Sequence, residues 1–219
     1  MNEMQNFDIE VIIEKLKKQR QAFFSEADFQ LAMALIIKEE YPDSMVKLEY
    51  VPKFNQQMHI DILVIQDNKW IPIELKYKTK KCQILIDNDE YNLKEHSAKD
   101  QNCYRYLKDI QRIEEIKQNE KCFEKGYAIF LTNDEGYKKK PRSNSNYEAF
   151  SLENGIEKMG SLDWSKKTSA GTKKGCEDKI NLKQKYKIEW KDFSSVNTTE
   201  PSGQTKFSYI MNEIKKDLE

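Results

Sequence analysis

The sequence predicts an α/β fold, in which a small mixed β-sheet is flanked by helices and followed by a C-terminal extension. Three observations predict it. Three consecutive apolar segments separated by turns form a meander, amphipathic helical patterns lie before and after that meander, and a continuous apolar segment, "GYAIFLTND", follows the later helix. The order is therefore helix, three-strand meander, helix, strand. A helix between two strands of one sheet normally crosses over to a parallel strand.

Composition and length agree with one compact domain over residues 1–219. Hydrophobic residues make up 38% and charged residues 34%, which indicates a core under a heavily charged surface. Lys+Arg and Asp+Glu are equal at 37 each, so any site for a polyanion must be a local patch.

Targeting and covalent features are few. The four cysteines are scattered without a C-x-x-C pair, which argues against a zinc site or a disulfide framework. The N-terminus has acidic residues where a signal peptide would be cationic and then apolar, and no apolar segment approaches the roughly 20 residues of a membrane span. We expect a cytoplasmic protein with no membrane partner.

Two helices are predicted before the strands, from apolar residues at helical spacing. The first runs from Phe7 to about Gln19 and has a basic end. The second follows Ser25, a natural N-cap with Asp28 three residues on, and stops at "YPD".

The meander comes next. "MVKLEYVP" alternates apolar and polar residues and ends in proline, as is typical of an outer strand. "MHIDILVIQ" and "WIPIELKYK" are joined by the turn "DNK", so they form an antiparallel hairpin.

The later elements are a crossover helix and a central strand. From about Ser97 to Asn119 the apolar residues Leu107, Ile110, Ile113 and Ile116 share one helical face, and "GYAIFLTND" is apolar throughout, as in a strand buried on both faces. Beyond Asp134, lysine-rich loops precede "KYKIEWKDF", predicted as one strand, and "KFSYIMNEIKKDLE", predicted as a closing helix. We expect residues 135–219 to pack on the core.

Charged residues interrupt the hairpin strands. Strand alternation places Glu74 and Lys76 on one face, and a turn over Gln66 to Lys69 brings Asp61 beside Glu74. Neighbouring carboxylates are oxygen ligands of the kind that Mg²⁺ prefers, and a lysine can orient an attacking water or stabilise charge on a phosphate.

This pattern resembles a known family. "HID", a turn, and then "IELK" is similar to the core signature of the PD-(D/E)XK nuclease superfamily, which has an aspartate on one strand and glutamate-any-lysine on the next. Ile60 replaces the signature proline. The resemblance covers residues 23–134, where it implies a restriction-endonuclease-like core, and the whole chain is similar to a bacterial relative of this superfamily.

The resemblance also implies roles. Asp61, Glu74 and the carbonyl of Leu75 would bind Mg²⁺ or Mn²⁺, Lys76 would act on the attacking water, and Glu26 on the helix before the strands would complete the catalytic site.

The residues expected to contact nucleic acid are Gln30, Lys78, Arg105 and Arg112. Gln30 lies one helical turn after Glu26, and Arg105, Asp109 and Arg112 form a charged stripe on the crossover helix. An exposed, salt-bridged stripe would explain the same spacing equally well. The lysine-rich loops fit sequence-independent backbone contacts or simple solvation.

The leading hypothesis is a metal-dependent nuclease acting on DNA, with RNA left open. The alternative is a non-catalytic module of the same fold that binds nucleic acid or protein in a defence or repair assembly. A purely structural explanation of the hairpin charges is a solvated sheet face. There Glu74 and Lys76 would form an exposed ion pair that contributes well under ~1 kcal/mol to stability. Cleavage of both duplex strands would require two active sites and hence a homodimer. No G-x-x-x-x-G-K-[ST] loop supports another phosphoryl-transfer enzyme.

Overall fold

A computed structural model describes residues 6–196 and 204–217. The fold is mixed α/β, built on a six-stranded mixed sheet with two additional two-stranded sheets. The helices are α1 (Ile9–Gln19), α2 (Glu26–Glu40), α3 (Lys99–Asn119) and the single turn α4 (Ala170–Lys173). The strands are β1 (Met45–Tyr50), β2 (Ile60–Gln66), β3 (Lys69–Lys78), β4 (Cys82–Ile86), β5 (Asp89–Leu93), β6 (Lys125–Thr132), β7 (Glu157–Leu162), β8 (Ile180–Lys187), β9 (Lys191–Ser195) and β10 (Lys206–Lys215).

The large sheet has the strand order β1-β2-β3-β6-β10-β9. Its first three strands are an antiparallel meander with β1 at the edge, and β6 lies parallel to β3 after the α3 crossover. The predicted meander, outer strand and parallel crossover are therefore confirmed. Because β6 is paired on both sides and covered on both faces, it is a central strand.

Two apolar cores lie on opposite faces of this sheet. One joins α1 and α2 to side chains such as Ile73 and Leu75 of β3. The other joins α3, β7 and β8 to the alternate side chains, including Phe130 of β6. The predicted apolar face of α3 is confirmed, since all four of its expected core residues are buried.

Local signals account for the element ends. The Ser25 side chain accepts a hydrogen bond from the Asp28 N–H at 3.1 Å, so the predicted cap of α2 is confirmed. Gln66 pairs with Lys69 across the β2–β3 turn, whose two central residues, Asp67 and Asn68, have φ of 51° and 59°. Two residues with positive φ are what a tight hairpin turn requires, and they set the register of the whole hairpin.

The predicted closing helix is wrong. Residues 206–215 of that segment form β10, which pairs antiparallel with β6 on one side and with β9 on the other, and the last two residues of the segment lie outside the described residues. The apolar spacing of "KFSYIMNEIK" fits a helix as well as a strand, and the open edge of β6 decides between them. The C-terminal region therefore extends the sheet itself in addition to packing on it.

The predicted strand "KYKIEWKDF" is also wrong as a single element. It divides into the end of β8 and the start of β9, which belong to different sheets. The strand is interrupted because two backbone N–H groups between β8 and β9 bond to a neighbouring loop. The Ile188 N–H donates to the Ile156 carbonyl at 2.9 Å, and the Trp190 N–H donates to Asn154 Oδ1 at 2.9 Å.

The β4–β5 hairpin, which was not predicted, packs on the α1–α2 side of the sheet. Within the described ranges, no helix combines the length and apolar character needed to cross a bilayer.

Candidate active site

The candidate site lies where β2 and β3 separate. Their ladder ends at the pair Ile62 and Ile73, which places Asp61 and Glu74 at the next opposed positions. Beyond this fork, Asp61 Oδ2 accepts a hydrogen bond from the Leu75 N–H at 2.6 Å. On the same edge of β3, Glu26 Oε2 accepts from the Tyr77 N–H at 2.7 Å. Two carboxylates thus satisfy backbone donors that a continuing β2 would have paired.

Glu74 and Lys76 point to the α3 face of the sheet. Lys76 Nζ lies 2.8 Å from Asp109 Oδ2 and donates to the Leu75 carbonyl at 3.0 Å. Arg112 bridges two acids, with Nη2 at 3.2 Å from Glu74 Oε1 and Nη1 at 3.2 Å from Asp109 Oδ1. One helical turn separates Asp109 from Arg112, so α3 presents an acid and a base together to β3.

Glu74 is the least satisfied group of this cluster. It is 1% exposed, and Oε2 has no hydrogen-bond partner among the residues that the structure describes. The contact of Oε1 with Arg112 is an ion pair whose angles are not those of a hydrogen bond, and the same holds for Asp109 Oδ2 with Lys76. A buried carboxylate oxygen without a donor is costly, so this position favours a cation.

The charges do not balance. Three carboxylates, those of Asp61, Glu74 and Asp109, face the two cations Lys76 and Arg112, which leaves one excess negative charge when all are ionised. The pair of Glu26 with Lys78, at 2.7 Å, is neutral.

Burial shifts the pKa values of these groups. Burial raises the pKa of Asp61 to about 6, against the opposing effect of Lys76. Burial, reinforced by Asp109, raises the pKa of Glu74 well above its usual value in spite of Arg112. For Lys76, burial acts to lower the pKa, but the surrounding carboxylates together outweigh it and raise the pKa. Lys76 is therefore a cation at neutral pH.

The structure brings three of the four expected nucleic-acid contacts to the fork. Gln30 Nε2 donates to the Asp61 carbonyl at 2.6 Å, and Lys78 and Arg112 are occupied by their ion pairs. Arg105 lies elsewhere on α3: it is exposed, donates to Gln101 at 3.3 Å and contacts the Cys176 thiol.

Two further residues belong to the site. Asp109 was part of the charged stripe in the sequence, but it had no assigned role; its three-residue spacing from Arg112 was the available signal. Glu49 of β1 stands at the ladder position opposite Asp61, has φ of 50° and accepts from Gln30 Nε2 at 2.8 Å. A non-glycine residue in this left-handed region is strained, and no sequence pattern predicted this conformation at Glu49.

Three oxygen-bearing groups flank the fork. Among the described residues, no group of three or more His, Cys, Asp or Glu side chains is arranged to hold a metal ion. The donors present are two carboxylates, of Asp61 and Glu74, and the carbonyl of Leu75. Because the N–H and C=O of a strand residue point to the same side, the Leu75 carbonyl faces the edge where Asp61 binds.

Comparison with known proteins does not assign the site to a class, so its geometry alone must do so. No family model, no curated protein and no solved structure matches the chain. The protein has a mixed α/β fold, with an acidic, lysine-containing fork at the end of the β2–β3 ladder of its large sheet.

Proposed function

We propose that the protein is a metal-dependent nuclease with a restriction-endonuclease-like core, which hydrolyses DNA phosphodiester bonds through Asp61, Glu74 and Lys76. The observation that carries the proposal is the buried Glu74 carboxylate, which lies beside a second carboxylate and a lysine and whose Oε2 has no hydrogen-bond donor within the part of the chain that the structure describes. A buried acid in excess of its cations is costly to ionise, and a bound cation would remove that cost.

The donor set fits Mg²⁺ or Mn²⁺. Mg²⁺ is commonly held by one or two carboxylates and keeps several waters, so Asp61, Glu74 and the Leu75 carbonyl suffice without a third acidic side chain. When bound there, the ion would polarise the phosphate and lower the pKa of a water ligand. The raised pKa values of Asp61 and Glu74 fit this use, since a cation would offset the excess negative charge.

The chain's own residues then have distinct tasks. Lys76, kept protonated by its acidic neighbours, stabilises negative charge on the phosphate and does not serve as the base. Asp109 holds Lys76, and Arg112 holds Glu74. Glu26 positions the edge of β3 through Tyr77.

Cleavage assays test the proposal. Purified protein would be incubated with supercoiled plasmid, single-stranded DNA and an RNA strand in Mg²⁺, Mn²⁺ or EDTA. We expect metal-dependent cleavage that is lost in Asp61→Ala and in Lys76→Ala. The matched control is Asp192→Ala, which removes an exposed acid from β9 of the same sheet and should leave cleavage unchanged. Undiminished cleavage by Asp61→Ala would refute the assignment.

Metal binding can be measured without any substrate. A ligand that binds only the folded state raises its melting temperature. We expect Mg²⁺ or Mn²⁺ to raise the melting temperature of the wild type and not that of Asp61→Asn. The effect should grow as pH rises through about 6, because the carboxyl must lose its proton to bind the ion.

The second candidate is a non-catalytic module of the same fold that binds nucleic acid or protein. It is favoured by the ion pairs of Lys76 with Asp109 and of Arg112 with Glu74, which already occupy both cations. Binding of DNA that is unaffected by EDTA, with no cleavage in either metal, would decide for this candidate.

A further inference from the structure

A cavity of about 320 Å³ lies between the end of α1, the start of α2 and the β4–β5 hairpin. Its walls include the rings of Phe24 and Tyr91. These rings are parallel, with an interplanar angle of 3° and centroids 4.1 Å apart. Tyr91 is 5% exposed and packs in the core, whereas Phe24 is 54% exposed. One face of Phe24 is therefore covered by Tyr91 and the other is open.

Hydrogen bonds hold the backbone at Phe24, and Tyr91 supports its ring. The Phe24 N–H donates to Asp28 Oδ2 at 2.8 Å, and the same carboxylate oxygen pairs with Arg20 at 2.7 Å. Ser25, the next residue, caps α2. A rigid aromatic surface loses little conformational freedom on binding, which favours stacking of a flat partner.

The charges of the cavity select the kind of partner. Lys18 and Arg20 contribute two positive charges, and Asp28, Asp87 and Asp89 contribute three negative charges. A phosphate would meet an excess of carboxylates, of which only Asp28 is paired with a cation of the cavity wall. A neutral ring that carries N–H donors would instead stack on Phe24 and find acceptors at the edge.

The start of α2 connects the cavity to the fork. Phe24 precedes Glu26 by two residues, so their Cα atoms are at most about 7.6 Å apart. Glu26 in turn bonds the Tyr77 N–H on the open edge of β3. A strand that crosses the open edge of β3 beside Glu26 and continues onto the α1–α2 side of the sheet would reach the exposed ring.

We infer that the Phe24–Tyr91 stack receives an unpaired nucleobase from the strand bound at the fork. The inference rests on the proposed function and names its substrate class: single-stranded or locally unpaired nucleic acid. A base inside a duplex is stacked on its neighbours and cannot offer its face to Phe24.

Binding of labelled oligonucleotides in EDTA tests the inference without cleavage. The probes are a 15-nucleotide single strand, the same strand with abasic positions, and a blunt duplex, followed by fluorescence anisotropy. Loss of one stacked base corresponds to about a 5- to 150-fold loss of affinity. We expect Phe24→Leu to weaken single-strand binding by this factor and Phe24→Tyr to retain it. Wild type should bind the abasic strand and the duplex as weakly as Phe24→Leu binds the intact strand.

The matched control is Leu35→Ala, which removes an apolar side chain of α2 that is 62% exposed; it should bind as wild type does. Thermal unfolding checks that each variant is folded. Equal affinity of wild type and folded Phe24→Leu would overturn the inference, as would no binding of any probe or no discrimination against the abasic strand.

The two proposals fail separately. Cleavage lost in Asp61→Ala, with Phe24→Leu binding as wild type does, would leave the nuclease and remove the stacking site. Weakened binding by Phe24→Leu, in a wild type that cleaves nothing, would leave the stacking site on a non-catalytic module.

Discussion

Asp61 is subject to two opposing effects. Its carboxylate accepts the Leu75 N–H and lies near Lys76, both of which favour ionisation, whereas burial disfavours it. Burial dominates, and the pKa is raised to about 6. In the metal-free protein the ionised residue therefore lowers the stability, a cost that the proposed metal site would explain.

Asp61→Asn is expected to stabilise the metal-free protein. The carboxyl has a pKa of 3.8 in its ordinary state and about 6 when folded, so the cost of ionisation is absent below pH 3.8 and complete above pH 6. Two pKa units correspond to about 3 kcal/mol, and the Asn carbonyl can still accept from Leu75. Urea unfolding in EDTA should show a gain of up to about 3 kcal/mol at pH 8 that shrinks towards pH 4. A less stable variant at pH 8 would show that the charged hydrogen bond outweighs burial.

Asp109→Ala is expected to act in the opposite direction. It removes the carboxylate that contacts both Lys76 and Arg112. Arg112 keeps Glu74, whereas the largely buried Lys76 loses its described ion-pair partner. Breaking a buried pair from one side costs about 3 kcal/mol. Urea unfolding in EDTA at pH 8 measures the loss, with exposed Asp192→Ala expected within about 0.5 kcal/mol of wild type. Equal effects of the two variants would contradict the burial argument.

At the scale of elements, the secure predictions had local causes. The α2 cap, the β2–β3 turn and the apolar face of α3 each depend on residues within one or two turns of chain. The closing helix had no such cause: "KFSYIMNEIK" contains no cap or turn signal, and pairing with β6 determines its structure.

Ser25→Ala tests the element that carries Glu26. Loss of the hydrogen bond from the Asp28 N–H should lower the free energy of unfolding by about 1 kcal/mol. Fraying of the first turn should also slow the proposed cleavage, because Glu26 is its first residue. Ser25→Thr keeps an oxygen acceptor and should resemble wild type in both assays. Unfolding and cleavage unchanged in Ser25→Ala would show that tertiary contacts alone hold this turn.

For the whole molecule, β10 is the element on which the sheet depends. It pairs along the full length of β6, and its buried residues contribute to both cores, Tyr209 on one face and Ile210 on the other. Residues 23–134 contain the proposed site, but without β10 this segment would leave the apolar edge of β6 unpaired.

A chain that ends at residue 196 is expected not to fold, because removal of β10 exposes β6 and opens both cores. Circular dichroism and thermal unfolding would show no cooperative transition. A chain that ends at residue 216 keeps β10. Among the described contacts it loses those of the exposed Asp217 with Lys117 and Gln184, so it should unfold like wild type. A cooperative transition in the shorter chain would show that β10 is dispensable.

The sequence by itself determined the features of this protein that depend on residues close together in the chain. Periodicity and turn chemistry act over a few residues, so the meander, its register and the opposed positions of Asp61 and Glu74 could be predicted. Only the tertiary structure decided that β2 and β3 separate at that point, that Asp109 and Arg112 meet Glu74 and Lys76, and that β10 completes the sheet. Each of these depends on partners far apart in the chain, and their burial, which sets the pKa values, has no short-range pattern.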